Sequence, residues 1–396
     1  MAITSKQHHQ HHGTIRAMVA LMITMAMAGP LSACGLGGDK GSSAGSSDHV
    51  TIAAIYPKTG LYAEYGKMFQ QGFDLAKDQI NKKGGIQGKR LDIDYYDTQS
   101  DAKQDAAVAP KIAADKSVIA VVGDYSSPAS SAASPIFQQA GLVHYGFNNS
   151  SPVFTKSGDH VWTPQISDKT YQEVNAEAIS KRAKKVSVVY LENDWGKESF
   201  QHFKDAADKQ GVQIIYQSSY LPDSTDLTPI LIPAKNAGPD AVVDIGYGPD
   251  GALVLNTLRD KLDYKGPFFG GQETKEFLSL TGANSQGTII TGTFSATGTK
   301  DPKAKAFVKS FEDRYHIVPG NFEVTAYQAI MDLAHAGEKT SPTRQGIQEA
   351  LTKVKDFPLY QGQGGTFKFN AKTRRADVIQ PILLQVDQGK FKQIEE

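Results

Sequence analysis

Polar side chains follow an apolar run in several loops of this sequence, and the first such loop is suited to an anion. The run Val118–Val122 ends at Gly123, and the chain continues through Ser127 and Pro128 into a predicted helix. Proline is tolerated in the first turn of a helix, where its missing N–H has no partner anyway. The unpaired N–H groups at that helix start favour a carboxylate, with Ser127 as an additional donor. Plain capping of the helix by Ser127 explains the same residues equally well.

Two further loops carry groups that can bind a polar solute. Asn148 and Ser150 follow the apolar segment 142–145 and supply an amide and a hydroxyl. The same residue types also favour ordinary turns, so this loop keeps two interpretations. Trp195 follows the apolar run 186–190 and offers an aromatic wall.

The segment Gly246–Gly251 matches G-x-G-x-x-G between a predicted strand and a predicted helix. Glu273 lies about 20 residues further on, as a dinucleotide site requires. The loop is nevertheless in the middle of the chain rather than in its first strand–helix unit, and the protein is predicted to be exported. The competing interpretation is that Tyr247 and the following helix start contact a different ligand.

Residue patterns for catalysis and metal binding are missing from the sequence. It contains no H-E-x-x-H and no Cys/His metal spacing, and its G-x-S-x-G match at 41–45 lies in a glycine- and serine-rich stretch, not between a predicted strand and a predicted helix. His8, His9, His11 and His12 cluster, but they precede the predicted cleavage site. The 42 basic and 42 acidic residues give a formal net charge of +0, so nothing indicates a nucleic-acid partner. We predict no enzymatic activity, no cofactor and no metal site.

The N-terminal segment is typical of an exported lipoprotein. Lys6 and Arg16 precede an apolar run at 17–28, which is too short for a membrane span of about 20 apolar residues. Residues 31–34, Leu-Ser-Ala-Cys, resemble the bacterial lipobox, which implies cleavage before Cys34 and its lipidation. The alternative is an ordinary signal peptide that leaves a free thiol. Cys34 is the only cysteine, so the mature fold needs no disulfide.

Apolar runs and helical patterns alternate through the rest of the chain. Strands are predicted at 50–56, 91–96, 118–122, 142–145, 186–190, 212–216, 241–245, 267–269, 366–369 and 382–386, and helices at 69–80, 102–114, 127–140, 197–209, 226–237, 250–262, 304–315 and 324–336. This alternation predicts parallel sheets with helices on both faces, and its two runs predict two doubly wound domains. Ligands in such folds bind beyond the strand ends or between domains, which is where the polar loops lie.

In their order and spacing, these loops resemble the leucine/isoleucine/valine-binding protein family of type I periplasmic solute-binding proteins, in its lipoprotein form. The resemblance extends from about residue 50 to the C-terminus. It rests on Gly60 and Gly66 with Tyr65 between them, Ile80-Asn81-x-x-Gly84-Gly85-Ile86-x-Gly88, Gly123-x-x-x-Ser127, Asn193-x-Trp195-Gly196, Ala326-Tyr327-x-Ala329 and Tyr360-x-Gly362-x-x-Gly365-x-x-x-Phe369-Asn370.

The resemblance implies an α/β fold of two doubly wound lobes, joined by three crossovers, with a ligand cleft between them. We expect a signal peptide at 1–33 and a flexible tether at 34–48, rich in glycine and serine. The first lobe is then expected at 49–167 and 291–337, and the second lobe at 168–290 and 338–396.

The resemblance also assigns roles to residues of the first lobe. Ser127 would bond the ligand carboxylate, and Ser150 with backbone groups near Asn148 would complete that end. Tyr65 would contact the ligand side chain. Asn148 stands where the family tends to have a small residue, so it narrows the pocket and adds donors.

On the second lobe, Trp195 and Tyr247 would close over the ligand. The acidic residue that meets the ligand ammonium in the family aligns with Gln272 without a gap, and with Glu273 after one insertion. Glu273 in the cleft favours an α-amino acid, because a desolvated ammonium needs a charged partner. Gln272 there favours an amide, a urea-like compound or another neutral polar solute.

The function predicted from the sequence is the extracellular substrate-binding lipoprotein of an ABC importer. Its ligand would be an amino acid of the branched-chain type, or an amide or urea-like compound. We expect a monomer, anchored through Cys34 to the outer face of the cell membrane or the periplasmic side, with a permease as partner. The alternatives are a ligand sensor for a signalling receptor and an exported enzyme that uses Gly246–Gly251 for a dinucleotide.

Overall fold

A computed structural model describes residues 48–376 and 378–394. The predicted signal peptide, the tether up to residue 47, the four leader histidines and Cys34 lie outside these described residues. Within them, no helix is both long enough and apolar enough to cross a membrane.

The first sheet has five strands, which are all parallel, in the order β2-β1-β3-β4-β5. They are β1 (His49–Tyr56), β2 (Arg90–Asp97), β3 (Val118–Val122), β4 (Val143–Tyr145) and β5 (Val161–Trp162). Because side chains alternate along a strand, β1 supplies two cores. Ile52 and Ala54 pack on one face, and Ala53 and Ile55 pack on the other.

Five helices cover the first sheet, and a sixth packs beside them. Helix α1 (Ala63–Lys82) contacts α10 (Asn321–Lys339) on one face, and α2 (Ala102–Ala114) contacts α3 (Ser127–Gln139) on the other. Helix α9 (Pro302–Tyr315) is tied to α1 through the hydroxyl of Tyr315, which donates to the carbonyl of Gln71. Helix α11 (Arg344–Lys353) packs against β3 and β4.

The second sheet has seven strands in the order β14-β13-β10-β9-β8-β6-β7. Its parallel strands are β6 (Lys185–Leu191), β7 (Gln213–Tyr220), β8 (Ala241–Ile245), β9 (Phe268–Phe269) and β10 (Ile289–Gly292). The last two, β13 (Ile382–Asp387) and β14 (Lys390–Ile394), are antiparallel. A separate antiparallel pair joins β11 (Phe357–Pro358) to β12 (Thr366–Phe367).

Five helices accompany the second sheet: α4 (Asp168–Ser180), α5 (Asp194–Lys209), α6 (Thr228–Asn236), α7 (Gly248–Asn256) and α8 (Lys275–Thr281). Helix α4 packs on α5, and α7 packs on α8. Helix α7 is shorter than the predicted 250–262, because the π turn Thr257–Lys261 takes over after it.

The chain passes between the two lobes three times, after β5, after β10 and after β12. The doubly wound two-lobed fold is therefore as predicted. The lobe ranges differ in two places. The boundary at 290/291 divides β10 rather than following it, and the range 338–396 includes α11, which belongs with the first sheet because it packs on β3 and β4.

Candidate functional site

A cavity of about 160 Å³ lies between the lobes, at the carboxyl ends of strands from both sheets. Seven of the eight predicted ligand-binding residues line it: Ser127, Asn148, Ser150, Trp195, Tyr247, Gln272 and Glu273. The eighth, Tyr65, does not. The strand-end loops chosen from the sequence thus converge, although they are far apart along the chain.

The loop after β3 presents the N-terminus of α3 to the cavity. Ser126, not Ser127, is the N-cap, and its hydroxyl accepts from the backbone N–H of Ala129. The buried carboxylate of Asp124 holds the loop by accepting from the hydroxyl of Ser100 at 2.6 Å and from the backbone N–H of Ser126 at 2.8 Å. Ser127 is therefore free of the capping role, and it lies at the first helical position against the cavity. This arrangement suits a carboxylate.

The loop after β4 links the first lobe to the second. The hydroxyl of Ser150 accepts from the indole N–H of Trp195 at 3.2 Å, and its carbonyl accepts from the backbone N–H of Asp168 at 2.8 Å. Asn149 is fixed through its amide, which donates to Ser130 at 3.0 Å. Asn148 lines the cavity.

Aromatic rings form the wall on the second lobe. Trp195 stacks on Tyr247, with ring centroids 4.8 Å apart and an interplanar angle of 23°. Tyr247 is the N-cap of α7 and also contacts Tyr62 and Tyr125 of the first lobe, at 5.3 and 5.1 Å. The wall is therefore held by ring contacts from both sides of the cleft.

Tyr65 lies behind the cavity rather than in its lining. Its side chain is fully buried, and its ring contacts those of Tyr62, Tyr125 and Phe322 at 5.9, 5.4 and 4.8 Å. Its hydroxyl lies against Gly248 at the start of α7, so close that a Cβ there would be 2.1 Å from it. In this closed arrangement Tyr65 supports the lining rings and does not reach the ligand space.

Gln272 and Glu273 both line the cavity, but only Glu273 has an unused acceptor. The amide oxygen of Gln272 accepts from the backbone N–H of Gly248 at 3.2 Å, and its amide nitrogen donates to the hydroxyl of Tyr125, also at 3.2 Å. Oε2 of Glu273 is buried and has no hydrogen-bond partner. Burial, and next the carboxylate of Glu323, raise the pKa of Glu273 well above its ordinary value.

Sequence reasoning missed one wall of the cavity, the first two turns of α4. Asp168, Tyr171, Gln172 and Asn175 line the cavity from this helix. Their spacing of three and four residues is the signal that could have found them, since it places them on one helix face. The prediction had no helix at 168–180, because that face is polar and the apolar pattern is weak.

The sequence profile of the periplasmic binding protein family matches residues 49–390. The chain belongs to the periplasmic binding protein family. This family consists of solute-binding proteins. The match extends over nearly all of the described residues, so both lobes and all three connections between them fall within it.

Named relatives of this periplasmic binding protein bind amino acids. A Leu/Ile/Val-binding protein homologue of Brucella melitensis is 28% identical over 299 residues, which are 74% of this chain and 80% of that protein. The structure of a branched-chain amino acid transporter substrate-binding protein from Streptococcus pneumoniae, in complex with isoleucine, is 26% identical with a TM-score of 0.79, over 87% of this chain and 98% of that one. A leucine-binding protein from Thermotoga maritima, 24% identical with a TM-score of 0.81 over the same shares, has the same fold.

The Gly246–Gly251 loop of this binding protein is filled by protein groups. The backbone N–H of Gly248 is bonded to Gln272, and the hydroxyl of Tyr65 lies against the same glycine. A Cβ on Gly251 would lie 2.9 Å from Gly271, so the loop after β9 packs directly against this turn. A pyrophosphate would need this helix start to be open, so the geometry does not favour a dinucleotide.

Histidines do not form a metal site here. No group of three or more His, Cys, Asp or Glu side chains within 48–376 and 378–394 is arranged to hold a metal ion. His144 is fully buried beneath the β3 loop, where its ring nitrogens contact the hydroxyl of Ser134 and the carbonyl of Gly123. Burial lowers the pKa of His144 to about 4. It is thus a neutral structural support for the loop.

Proposed function

We propose that this chain is the substrate-binding protein of an ABC importer and that it captures an amino acid in the cleft. The observation that carries the proposal is Oε2 of Glu273, a buried carboxylate oxygen without a hydrogen-bond partner, which shares one cavity with the α3 N-terminus at Ser127. A buried carboxylate needs a cation, and a helix N-terminus favours an anion. A zwitterion supplies both.

The pose follows from these two groups. The ligand carboxylate lies at the start of α3 and accepts from the hydroxyl of Ser127, while its ammonium donates to Glu273. The stacked rings of Trp195 and Tyr247 cover it from the second lobe. Charge-assisted hydrogen bonds of this kind are roughly twice as strong as neutral ones. With the aromatic contact they account for an affinity in the micromolar range, about −8 kcal/mol.

Closure of the lobes is the working step. Contacts already cross the cleft between Trp195 and Ser150 and between Gln272 and Tyr125. A ligand that bonds Ser127 on one lobe and Glu273 on the other has more contacts in the closed form, so it shifts the population towards closure. The closed form then delivers the ligand to a permease without changing it chemically.

Export and anchoring complete the proposal. The leader would be removed before Cys34, and the lipid on Cys34 would hold the protein at the outer face of the membrane. The glycine- and serine-rich stretch 35–48 would let the lobes reach the permease. We propose that the protein works as a monomer.

Isothermal titration of the purified protein with the twenty standard amino acids, amides, ureas and nucleotides tests the proposal. One or more amino acids should bind, and both Ser127→Ala and Glu273→Gln should weaken that binding at least about tenfold, since each removes a charge-assisted bond. Ser279→Ala, at an exposed position on α8, is the matched control. Binding of a nucleotide alone, or amino-acid binding untouched by both variants, would contradict the proposal.

A further inference from the structure

The α4 wall of the cavity is polar along its whole length. Asp168, Tyr171, Gln172 and Asn175 face the cavity from successive turns. Asp168 is 2% exposed and Gln172 is 5% exposed, so both residues are largely removed from bulk water. Shielded polar groups are costly unless they are bonded, which makes their hydrogen-bond partners informative.

Two of these side chains keep unused polar atoms. The amide nitrogen of Asn175 donates to Oε1 of Gln172 at 3.1 Å, and its oxygen accepts from the hydroxyl of Thr291. The amide nitrogen of Gln172 has no partner among the described residues, so one donor is left over. Oδ2 of Asp168 is 3.1 Å from the ring nitrogen Nδ1 of His202, and no hydrogen bond to Oδ1 is found in the described part of the chain.

The charges around the cavity are also unbalanced. Asp168, Asp244 and Glu273 contribute three carboxyl groups to the lining, which contains no lysine, arginine or histidine. His202 lies behind Asp168 and compensates one of its oxygens only. The single α-ammonium of an aliphatic amino acid satisfies Glu273 and leaves the free oxygen of Asp168 without a donor.

The opposite side of the cleft is packed with aromatic rings. Tyr62, Tyr65, Tyr125 and Phe322 are buried there in mutual ring contact, with the Tyr65 and Phe322 rings 4.8 Å apart. A ligand side chain that extends towards α4 meets Asp168 and Gln172 instead of these rings. An aliphatic group in that position would leave Asp168 and the Gln172 amide unpaired. Sites built to hydrogen-bond a polar group strongly reject ligands that lack this group.

We infer that the ligand is an amino acid whose side chain carries N–H donors, as in a carboxamide, an ammonium or a guanidinium, and that Asp168 and Gln172 recognise this side chain. This inference rests on the proposed function and narrows it. The donors of the side chain reach the free oxygen of Asp168. A side-chain carbonyl, where there is one, accepts from the amide of Gln172.

Titration calorimetry with two sets of amino acids tests the inference. One set is leucine, isoleucine and valine, and the other is asparagine, glutamine, lysine and arginine. We expect the best ligand of the second set to bind at least about tenfold more tightly than any of the first. Gln172→Leu, which is close in volume, should reduce that ratio by about tenfold, mainly by weakening the polar ligand.

A second variant guards against a folding defect in the first. Asp168→Asn retains an acceptor for His202, and it should also lower the affinity for side chains with N–H donors by a larger factor than the affinity for leucine. Tightest binding of leucine, isoleucine or valine, with a selectivity that neither variant alters, would overturn the inference and leave the proposed function standing. The proposed function fails separately, if no amino acid binds or if Glu273→Gln leaves all binding unchanged.

Discussion

Glu273 lines the cleft and has one buried carboxylate oxygen, Oε2, without a hydrogen-bond partner, an arrangement that destabilises the ligand-free closed protein. Its partner in the complex is proposed to be the ligand ammonium. The pKa of the carboxyl is raised in the empty cavity, by burial first and by Glu323 second. An ammonium beside it would reverse that shift by favouring the charged form.

Ligand affinity is therefore expected to rise with pH above the ordinary glutamate range. In the ligand-free closed form Glu273 holds its proton at higher pH than in the complex, so binding releases a proton over that interval. The association constant then increases by up to about tenfold per pH unit until the ligand-free carboxyl is ionised. Titration calorimetry between pH 5 and 8, in buffers of different ionisation enthalpy, measures both the affinity and the protons released.

Glu273→Gln is the control for this pH dependence. It keeps the size of the side chain and removes the titrating group, so the remaining affinity should be nearly independent of pH over the same interval. Proton uptake on binding, or an unchanged slope in the variant, would show that another group is responsible.

The sequence could name the residues of the site but could not determine their roles. Gln272 and Glu273 are adjacent in sequence. Only the structure shows that the amide of Gln272 already has protein partners, Tyr125 and Gly248, and is therefore not available to a ligand. Tyr65 was expected to contact the ligand side chain, but the rings of Tyr62 and Tyr125 lie around it. Such packing depends on residues distant in sequence, which local patterns do not report.

At the scale of elements, the start of α7 forms part of the contact between the lobes. Gly248 begins this helix on the second lobe, and the hydroxyl of Tyr65 from the first lobe occupies the space where a Cβ would lie, 2.1 Å away. The absence of a side chain at residue 248 thus allows the two lobes to approach one another.

Gly248→Ala is expected to impair closure without impairing folding. The added methyl group collides with Tyr65 only when the cleft is closed, so the open form is unaffected. We expect ligand affinity to fall by about a hundredfold, which corresponds to roughly 2.7 kcal/mol, and the melting temperature of the ligand-free protein to change little. Titration calorimetry and thermal unfolding measure the two effects.

A second substitution tests the cause. Tyr65→Phe removes the hydroxyl, and the nearest remaining ring atom, Cζ, is 3.3 Å from the Cβ position. The double variant should recover most of the affinity lost in Gly248→Ala. If it binds as weakly as the single variant, or if Gly248→Ala alone unfolds the protein, the collision between lobes is not the reason.

Most elements could be predicted from the sequence, and the exceptions have physical reasons. Ala102–Ala114 and Val118–Val122 were predicted with their observed ends, because an N-cap aspartate and a wholly apolar run mark them. Helix α4 was missed because it turns polar residues towards the cavity. Strand β5 was missed because it has only two residues and depends on neighbouring strands for its hydrogen bonds.

At the scale of the whole molecule, the two tryptophans report differently on closure. Trp195 stacks on Tyr247 and bonds to Ser150 across the cleft, whereas Trp162 is buried in the first lobe and donates to Gln348 at 2.9 Å. We expect the ligand to change the intrinsic fluorescence, because closure alters the surroundings of Trp195 alone. Trp195→Phe should abolish this change, even when calorimetry still detects binding. A persistent signal in that variant would place the movement elsewhere.

Buried carboxyl groups in both lobes also make the stability of the whole molecule depend on pH. Burial raises the pKa of Asp244 to about 8, against an ordinary value of 3.8, and it also raises the pKa of Asp105, Asp332 and Glu273. A group with a raised native pKa binds more protons in the native than in the unfolded state. Its contribution to stability is therefore complete at pH values below its pKa in the unfolded state. The contribution is lost as the pH rises to its pKa in the native state.

His144 changes the stability in the opposite direction, but over a lower range of pH. Its pKa falls from 6.5 to about 4 in the native protein, so between those values stability rises with pH. Above pH 6.5 that effect is exhausted. The carboxyl groups should then dominate, and His202, whose pKa is raised by its hydrogen bond to Asp168, acts in the same direction as they do. The free energy of unfolding of the ligand-free protein is therefore expected to fall between pH 6.5 and 8, by at most about 1.4 kcal/mol per pH unit for each carboxyl, and the melting temperature should fall with it.

Asp244→Asn should make this decline shallower. The amide oxygen still accepts from the hydroxyl of Tyr220, which donates to the aspartate at 2.8 Å, and the variant has no proton to lose. Near pH 8 the variant should be more stable than the parent protein, and this advantage should shrink as the pH falls towards 3.8, the ordinary pKa of aspartate. Calorimetric melting curves at half-unit steps of pH measure the difference. Parallel curves for the two proteins would mean that Asp244 is ionised in the native protein throughout, and its burial would then need a cation that the surrounding residues do not supply.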